Sequence, residues 1–282
     1  MSGREEHRKQ RSWLTRESNY LPLSLGRLTK DLGYYKDLVY ILTKKEIKIR
    51  YKSSYFGYLW SLLNPLAFAG VFYFVFGIIW NAPAENLALF LVAGLFPWQW
   101  FSNSILAATT VYVGNASVIK KVNFPRNVLP LAITLQDMFH FLCAIPIVVI
   151  CLFVSGKTPT NSWIFGVPLL LVVQLTLVYG LSLALASISL FFRDLQQIAG
   201  ILLMFLFYLT PILYPISKVP EEYRNFVFAN PAAPVIVCWR DLFLEGRLDG
   251  GYLSIGMIYS IVVLVGGSWV YSRLKWRFAE VL

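Results

Sequence analysis

Charge is scarce in this 282-residue chain: Asp, Glu, Lys and Arg make up 14% of it, whereas a soluble domain carries about 25%. A surface so poor in wetted groups excludes a large soluble core. The three cysteines, Cys143, Cys151 and Cys238, are odd in number and lack metal-ligand spacing, so they build neither a disulfide framework nor a thiolate metal centre. They read as small apolar residues. Paired carboxylates within apolar runs, a His/Cys metal set and a nucleophile–base motif are all missing, which leaves an enzyme with little support. Ser155-Gly156-Lys157-Thr158 is the only fragment of a phosphate-binding loop. The full motif needs a glycine five positions before Gly156, where Cys151 stands, and Pro159 follows, so the chain shows no nucleotide site. Nor is there an internal repeat to support an inverted-repeat secondary transporter.

What the chain does have is apolar length. Hydrophobic residues are 57% of it and mean hydropathy is +0.60. Six runs approach or exceed the ~20 residues that cross about 30 Å of hydrocarbon. They are Leu59–Trp80, Leu87–Val113, Val128–Val154, Trp163–Phe191, Ile198–Tyr214 and Leu253–Tyr271, the fifth being only just long enough. Trp60, Trp80, Trp98, Trp100, Trp163 and Trp269 fall near run ends, where amphipathic rings favour the headgroup level. Net charge is +10, and 13 of the 25 Lys and Arg residues precede the first run. That block reads as a cytoplasmic anchor on anionic headgroups and not as a nucleic-acid surface. With the N-terminus inside, inner segments hold 20 Lys/Arg residues against 5 in outer ones, and six spans return the C-terminus to the cytoplasm. No short apolar core with a cleavage site is seen near the N-terminus, so the first span is expected to be the insertion signal.

Three domains are expected: a polar tail over 1–33, an interfacial helix over 34–58, and a permease domain over 59–282. In the second, Tyr35, Leu38, Leu42 and Ile49 share one helical face and Lys36, Lys44, Lys48 and Lys52 the other. Pro215–Gly251 is too polar to cross and too apolar for a free loop. Pro220-Glu221-Glu222 suits a helix start, Asn230-Pro231 a break and Gly246 a helix end. It is expected to form two short amphipathic helices lying at, or dipping into, the outer leaflet. The fold class is therefore an all-α integral membrane protein of about six spans, with an N-terminal interface helix and this outer helix pair.

Gln136, Asp137 and His140 are the strongly polar cluster deep in a span, with Asp137 and His140 on one face. A proton relay and a structural interhelical bond both fit. Phe68, Phe72, Phe76 and Trp80 recur every four residues along the first span. Such a stripe suits either the stacking of sugar rings in a conduit or packing against lipid.

Five ordered motifs carry a resemblance that covers most of the chain after Ile47. Arg50-Tyr51-Lys52-Ser53-Ser54-Tyr55-Phe56-Gly57-Tyr58-Leu59-Trp60 with Leu62-Leu63-Asn64-Pro65-Leu66 resembles the start of the first span in ABC polysaccharide-export permeases. Gly94-Leu95-Phe96-Pro97-Trp98, then Phe124-Pro125-Arg126 with Leu129-Pro130-Leu131, resemble that family's second-span and inner-loop motifs. Phe192-Arg193-Asp194 with Tyr208-Leu209-Thr210-Pro211-Ile212-Leu213-Tyr214, and Asn230-Pro231 with Trp239-Arg240, fit the remaining two. The resemblance implies a bacterial inner-membrane homodimer working with two separate cytoplasmic ATP-binding subunits, which would hold ATP and Mg²⁺. It implies a lipid-linked polysaccharide as substrate, typically on undecaprenyl diphosphate, such as an O-antigen, capsule or teichoic acid precursor. A membrane transferase using Glu221, Glu222, Asp241 and Glu245, or a proton-coupled transporter using Asp137 and His140, are the alternatives.

Three sets of residues follow. Coupling to the ATPase is expected from Lys120, Lys121, Val122, Asn123, Phe124, Pro125 and Arg126, with Phe124 as the apolar anchor, and from Arg193 and Asp194. The substrate channel is expected at Trp60, Phe68, Phe72, Phe76, Trp98 and Tyr208. An outer gate is expected at Tyr223, Phe226, Trp239, Arg240 and Phe243.

Overall fold

A computed structural model describes residues 25–50, 55–79, 86–122 and 124–278. Most of the expected polar tail, residues 1–24, lies outside these, as do Lys52 and Trp80. The chain divides into two compact units, Met1–Leu38 and Val39–Leu282, and everything below concerns the second unless stated. Among the described residues every regular element is helical. Helix α1 covers Leu25–Arg50, beginning ahead of the expected start at Tyr34. Leu42 is buried and Lys44 and Lys48 are exposed, as the two-faced pattern requires, but Ile49 is exposed.

The bundle follows. Helix α2, Trp60–Phe72, continues as a π-helical stretch over Tyr73–Ile79. Helix α3 is Leu87–Ala108, α4 and α5 are the short helices Val111–Gly114 and Ala116–Lys121, α6 is Val128–Val154 and α7 is Trp163–Ser189. Helix α8 is Leu195–Leu209, α9 is Glu221–Phe228, α10 is Ala232–Glu245 and α11 is Gly250–Leu274. Asp249 caps α11, its carboxylate accepting from the Gly251 and Tyr252 amides at 2.8 and 3.1 Å. Among the described residues five helices are long and apolar enough to cross a membrane: α2 with its π stretch, α3, α6, α7 and α11.

The expected fifth span, Ile198–Tyr214, is helical over Leu195–Leu209 only. Its helix has 15 residues, roughly 22 Å at 1.5 Å per residue, short of the ~30 Å core. Pro211 sets the limit, because a proline pushes the residue before it out of the helical region. Thr210 accordingly sits at φ −78°, ψ 138°.

The outer pair α9–α10 is bent by 107°. Its break falls at Asn230-Pro231, and Gly246 closes α10 in the left-handed region at φ +68°. The Tyr259 hydroxyl donates to Phe228 O at 2.9 Å, so the apex lies roughly 14 Å along α11. Back at the α6–α7 turn, Trp163 Nε1 donates to Leu242 O at 2.9 Å. The pair therefore enters the bundle and returns towards the side it came from. Of the two expected placements, dipping into the leaflet describes α10 and lying on it does not, since Val235, Ile236, Val237, Trp239, Leu242 and Phe243 are all buried. Irregular backbone survives at this depth because protein surrounds it.

Lipid tails are as apolar as leucine, so burying leucine between spans gains little, and close packing with hydrogen bonds must hold the bundle. Helices α7 and α11 pack closely through Gly180 and Gly267, while Ser260 Oγ donates to Val173 O at 2.9 Å. Helix α3 is the buried centre, touching α2, α6, α7, α8 and α10. Trp98 and Trp100 were expected at a membrane boundary but are buried mid-helix in α3, where Trp100 Nε1 donates to Thr134 O at 3.1 Å. A fully buried indole finds its polar partner on a neighbouring helix instead of in headgroups.

At the other end of α11, Phe278 has no exposed surface. Tyr112, Tyr271 and Phe191 surround it with centroids at 5.0, 6.0 and 6.4 Å, and the Arg126 guanidinium stands 5.8 Å above its ring. This cage ties α4, the chain after α7 and the end of α11. Phe278→Ala should destabilise the protein by about 3–5 kcal/mol, the range for deleting a buried ring, measured by thermal unfolding in detergent.

Candidate functional site

Three openings adjoin one another between α1, α2, α3, α6 and α8. The largest is a groove of about 400 Å³, lined by Phe68, Phe72, Trp98, Phe207 and Tyr208 with Ser102, Gln99 and Asn103. Phe207 is its hub, with ring centroids 6.1 Å from Phe72, 5.8 Å from Trp98 and 5.2 Å from Tyr208. Of the expected channel residues, four line the groove and Phe76 stacks on Phe72 at 6.0 Å. Trp60 faces the neighbouring cavity instead. The sequence reading missed Phe207. Its signal was available: Gly200, Leu203, Met204 and Phe207 recur at helical spacing and all line the groove beside Tyr208.

The second opening is a cavity of about 230 Å³ lined by Arg50, Trp60, Asn64, Phe96, Gln99, Trp100, Asn103, Asp137, His140, Phe141 and Ala144. Asp137 is 2% exposed and binds on three sides. Arg50 donates a charged hydrogen bond to Oδ1, Ser104 Oγ donates to Oδ2 at 2.9 Å, and His140 Nδ1 lies 3.6 Å from Oδ1. The sequence reads Arg50 as an inner anchor and as the first residue of a family motif, without a partner assigned to it. A lone acid deep in an apolar helix requires a cation, and the last basic residue of α1 supplies it. Lys45 makes a second tie from α1, donating to Asn115 Oδ1. A third opening shares Arg50 and Asn103 with this cavity and continues past Glu46, Gln136 and Gln196.

The outer-gate set is not brought together. Tyr223 and Phe226 are exposed on α9, whereas Trp239, Arg240 and Phe243 are buried in α10. Trp239 Nε1 donates to Gln174 Oε1 at 2.6 Å, and Gln174 Nε2 donates to Pro97 O at 2.8 Å, linking α10, α7 and α3. Arg240 Nη1 donates to Pro211 O and Tyr214 O at 2.8 and 3.3 Å, and its guanidinium lies 4.7 Å from the Phe90 ring centroid. Asn230 Nδ2 reaches Thr210 Oγ1 at 2.7 Å. Two separate sequence motifs thus prove to be one joint: Arg240 satisfies carbonyls that the α8 break at Pro211 leaves open, and Asn230 holds the Thr210 hydroxyl beside it. The carboxylates of the transferase alternative do not converge. Glu221 pairs with Arg224 and Asp241 with Arg240, at 3.5 and 3.9 Å, and Glu245 pairs with Arg247.

Of the coupling residues, Lys120, Lys121, Val122, Pro125, Arg193 and Asp194 are exposed and Arg126 is half-buried over Phe278. Asn123 lies outside the described residues. Phe124, the expected protruding anchor, is 8% exposed. Its ring is covered by the chain's own fold, and Val122 and Pro125 are apolar side chains that this loop exposes.

Helices able to cross a membrane, a sharply bent helix pair and a groove between helices give the described residues the architecture of a multi-pass membrane protein. Residues 37–244 match the ABC-2 type transporter model, and the chain belongs to that family. Over 256 residues it is 43% identical to the O-antigen export system permease protein RfbA of Klebsiella pneumoniae, covering 91% of this chain and 99% of that one. The protein of the same name from Myxococcus xanthus is 32% identical over 257 residues, 90% of this chain and 98% of that one. The polysialic acid transport protein KpsM of Escherichia coli is 24% identical over 243 residues, 84% and 93% of the two chains.

Proposed function

We propose that this chain is the permease subunit of an ATP-driven exporter that moves a lipid-linked polysaccharide, of O-antigen type, from the cytoplasmic to the outer side of the bacterial inner membrane. The observation that carries it is the aromatic groove between α2, α3 and α8. Stacked rings offer successive sugars an apolar face without demanding one hydrogen-bond pattern, which a repeating polymer needs. The relatives named for O-antigen and polysialic acid export support the substrate class.

A second copy completes the path. Val71 and Phe74 of the first span and Ile201, Met204 and Phe205 of α8 are exposed beside the groove, and a homodimer would close it with the same surfaces. Both termini are cytoplasmic in this reading, because the inner segments carry most of the Lys and Arg. Two ATP-binding subunits then dock on the cytoplasmic face, meeting Lys120, Lys121, Val122, Pro125, Arg193 and Asp194. They bring ATP and Mg²⁺.

Deleting the chain from its host should leave the glycan inside the cell, and reintroducing it should restore surface polysaccharide, read by immunoblot of the cell surface. A separate ATPase should co-purify with it. Surface polysaccharide that persists in the deletion strain would overturn the proposal.

A further inference from the structure

The polar cavity beside the aromatic groove shares Gln99 and Asn103 with it and adds Asn64, Phe96 and Trp100, which lie outside the groove. Carboxamides of Asn64, Gln99 and Asn103 face it, and none has a hydrogen-bond partner among the described residues. Rings of Trp60, Phe96, Trp100 and Phe141 form its walls. Gln99 and Asn103 also line the aromatic groove, and Asn103 lines the third opening as well, so all three meet at this residue.

We infer that this cavity is a saccharide-binding site, taking one neutral sugar ring at the inner end of the groove; the inference rests on the polysaccharide reading above. Charge excludes the competitors. The Arg50 and Asp137 charges cancel, and both Asp137 oxygens are already engaged. A diphosphate would therefore meet a compensated guanidinium and a carboxylate, and the described residues lining the cavity add no further Lys or Arg to hold it. A metal ion would find the carboxylate neutralised. An apolar ligand would strand three carboxamides away from water. Sugar hydroxyls donate and accept, and each carboxamide does both, so the two sets match. The aromatic walls receive the C–H faces of the ring. At about 230 Å³ the cavity is smaller than the ~300–1,000 Å³ of drug-sized ligand sites, which suits a single ring.

The geometry gives the site a role. α3 presents Gln99 to the cavity and the groove at once, so a sugar leaving one is received by the other without passing through lipid.

The test uses the full chain in lipid nanodiscs and two probes: oligosaccharides released by mild acid from the polysaccharide the host exports, and inorganic pyrophosphate. Titration calorimetry should show saccharide binding to the natural protein, weakened roughly ten- to hundred-fold in Gln99→Leu/Asn103→Leu, as the loss of two hydrogen bonds requires. If the double variant does not fold, Asn103→Ser alone carries the comparison and should weaken binding roughly five-fold. Binding that ignores Gln99 and Asn103, no saccharide binding to the natural protein, or pyrophosphate displacing the saccharide would each overturn the inference. The deletion strain separates the two readings. Export that depends on the chain, with saccharides indifferent to Gln99 and Asn103, leaves the exporter reading standing and removes this one.

Discussion

Arg50→Ala should lower stability by about 3 kcal/mol, the small end of the 3–5 kcal/mol for breaking a buried ion pair. The reason lies in what remains. Asp137 is 2% exposed, and without the guanidinium its charge is left with one hydroxyl and one imidazole in a membrane interior. The Arg50 side chain is 37% exposed, so water offsets part of the loss and holds the effect at that end. Arg50→Met combined with Asp137→Leu should recover most of it, because replacing both charges removes the desolvation cost along with the attraction. Thermal unfolding of the detergent-solubilised protein measures each variant. The double variant also separates the two readings of this cluster. A structural tie predicts a folded protein that still exports, whereas a proton relay predicts a folded protein that does not.

Gly267→Val should be more damaging, costing about 3 kcal/mol or more, beyond the ~1–3 kcal/mol usual for overpacking. A Cβ at Gly267 would fall inside van der Waals contact of the Gly180 carbonyl, and one at Gly180 would lie 2.7 Å from Leu264 Cα. Both obstacles are backbone, so no side-chain rotation relieves them and α7 and α11 must separate. At Gly266, one position away, a Cβ would meet no heavy atom of the described residues within 4 Å, and Gly266→Val should leave the unfolding temperature almost unchanged. A Gly267→Val protein as stable as the natural one would show that the two helices do not meet there.

Long apolar helices were legible because their signal is local. A run such as Trp163–Phe191 can satisfy its backbone in lipid only as a helix, and α7 covers Trp163–Ser189. The outer helix pair was legible for the same reason. Pro220, Asn230-Pro231 and Gly246 act through backbone geometry within a turn or two, and α9 and α10 begin and end beside them. The helix of the fifth run ends early because Pro211 stops it, which apolar length alone does not show. Sugar-facing aromatics were read along one helix, so Phe68 and Phe72 were found, while Phe207 emerges only where α8 crosses α2 and α3.

The sequence by itself determined that this is an all-helical membrane protein, where its chain breaks, and which family's motifs it carries, because hydropathy, proline and glycine act on their own neighbourhoods. Only the tertiary structure decided what those motifs are for. Arg240 reads as an outer-loop charge until it is seen holding the open carbonyls of Pro211 and Tyr214, residues 29 and 26 positions away. Arg50 reads as a lipid anchor until Asp137, 87 positions on, takes its charge. Phe124 reads as an exposed anchor until the fold covers it. A charge or an unpaired carbonyl inside a membrane must find a partner, and which one it finds depends on how helices far apart in sequence cross.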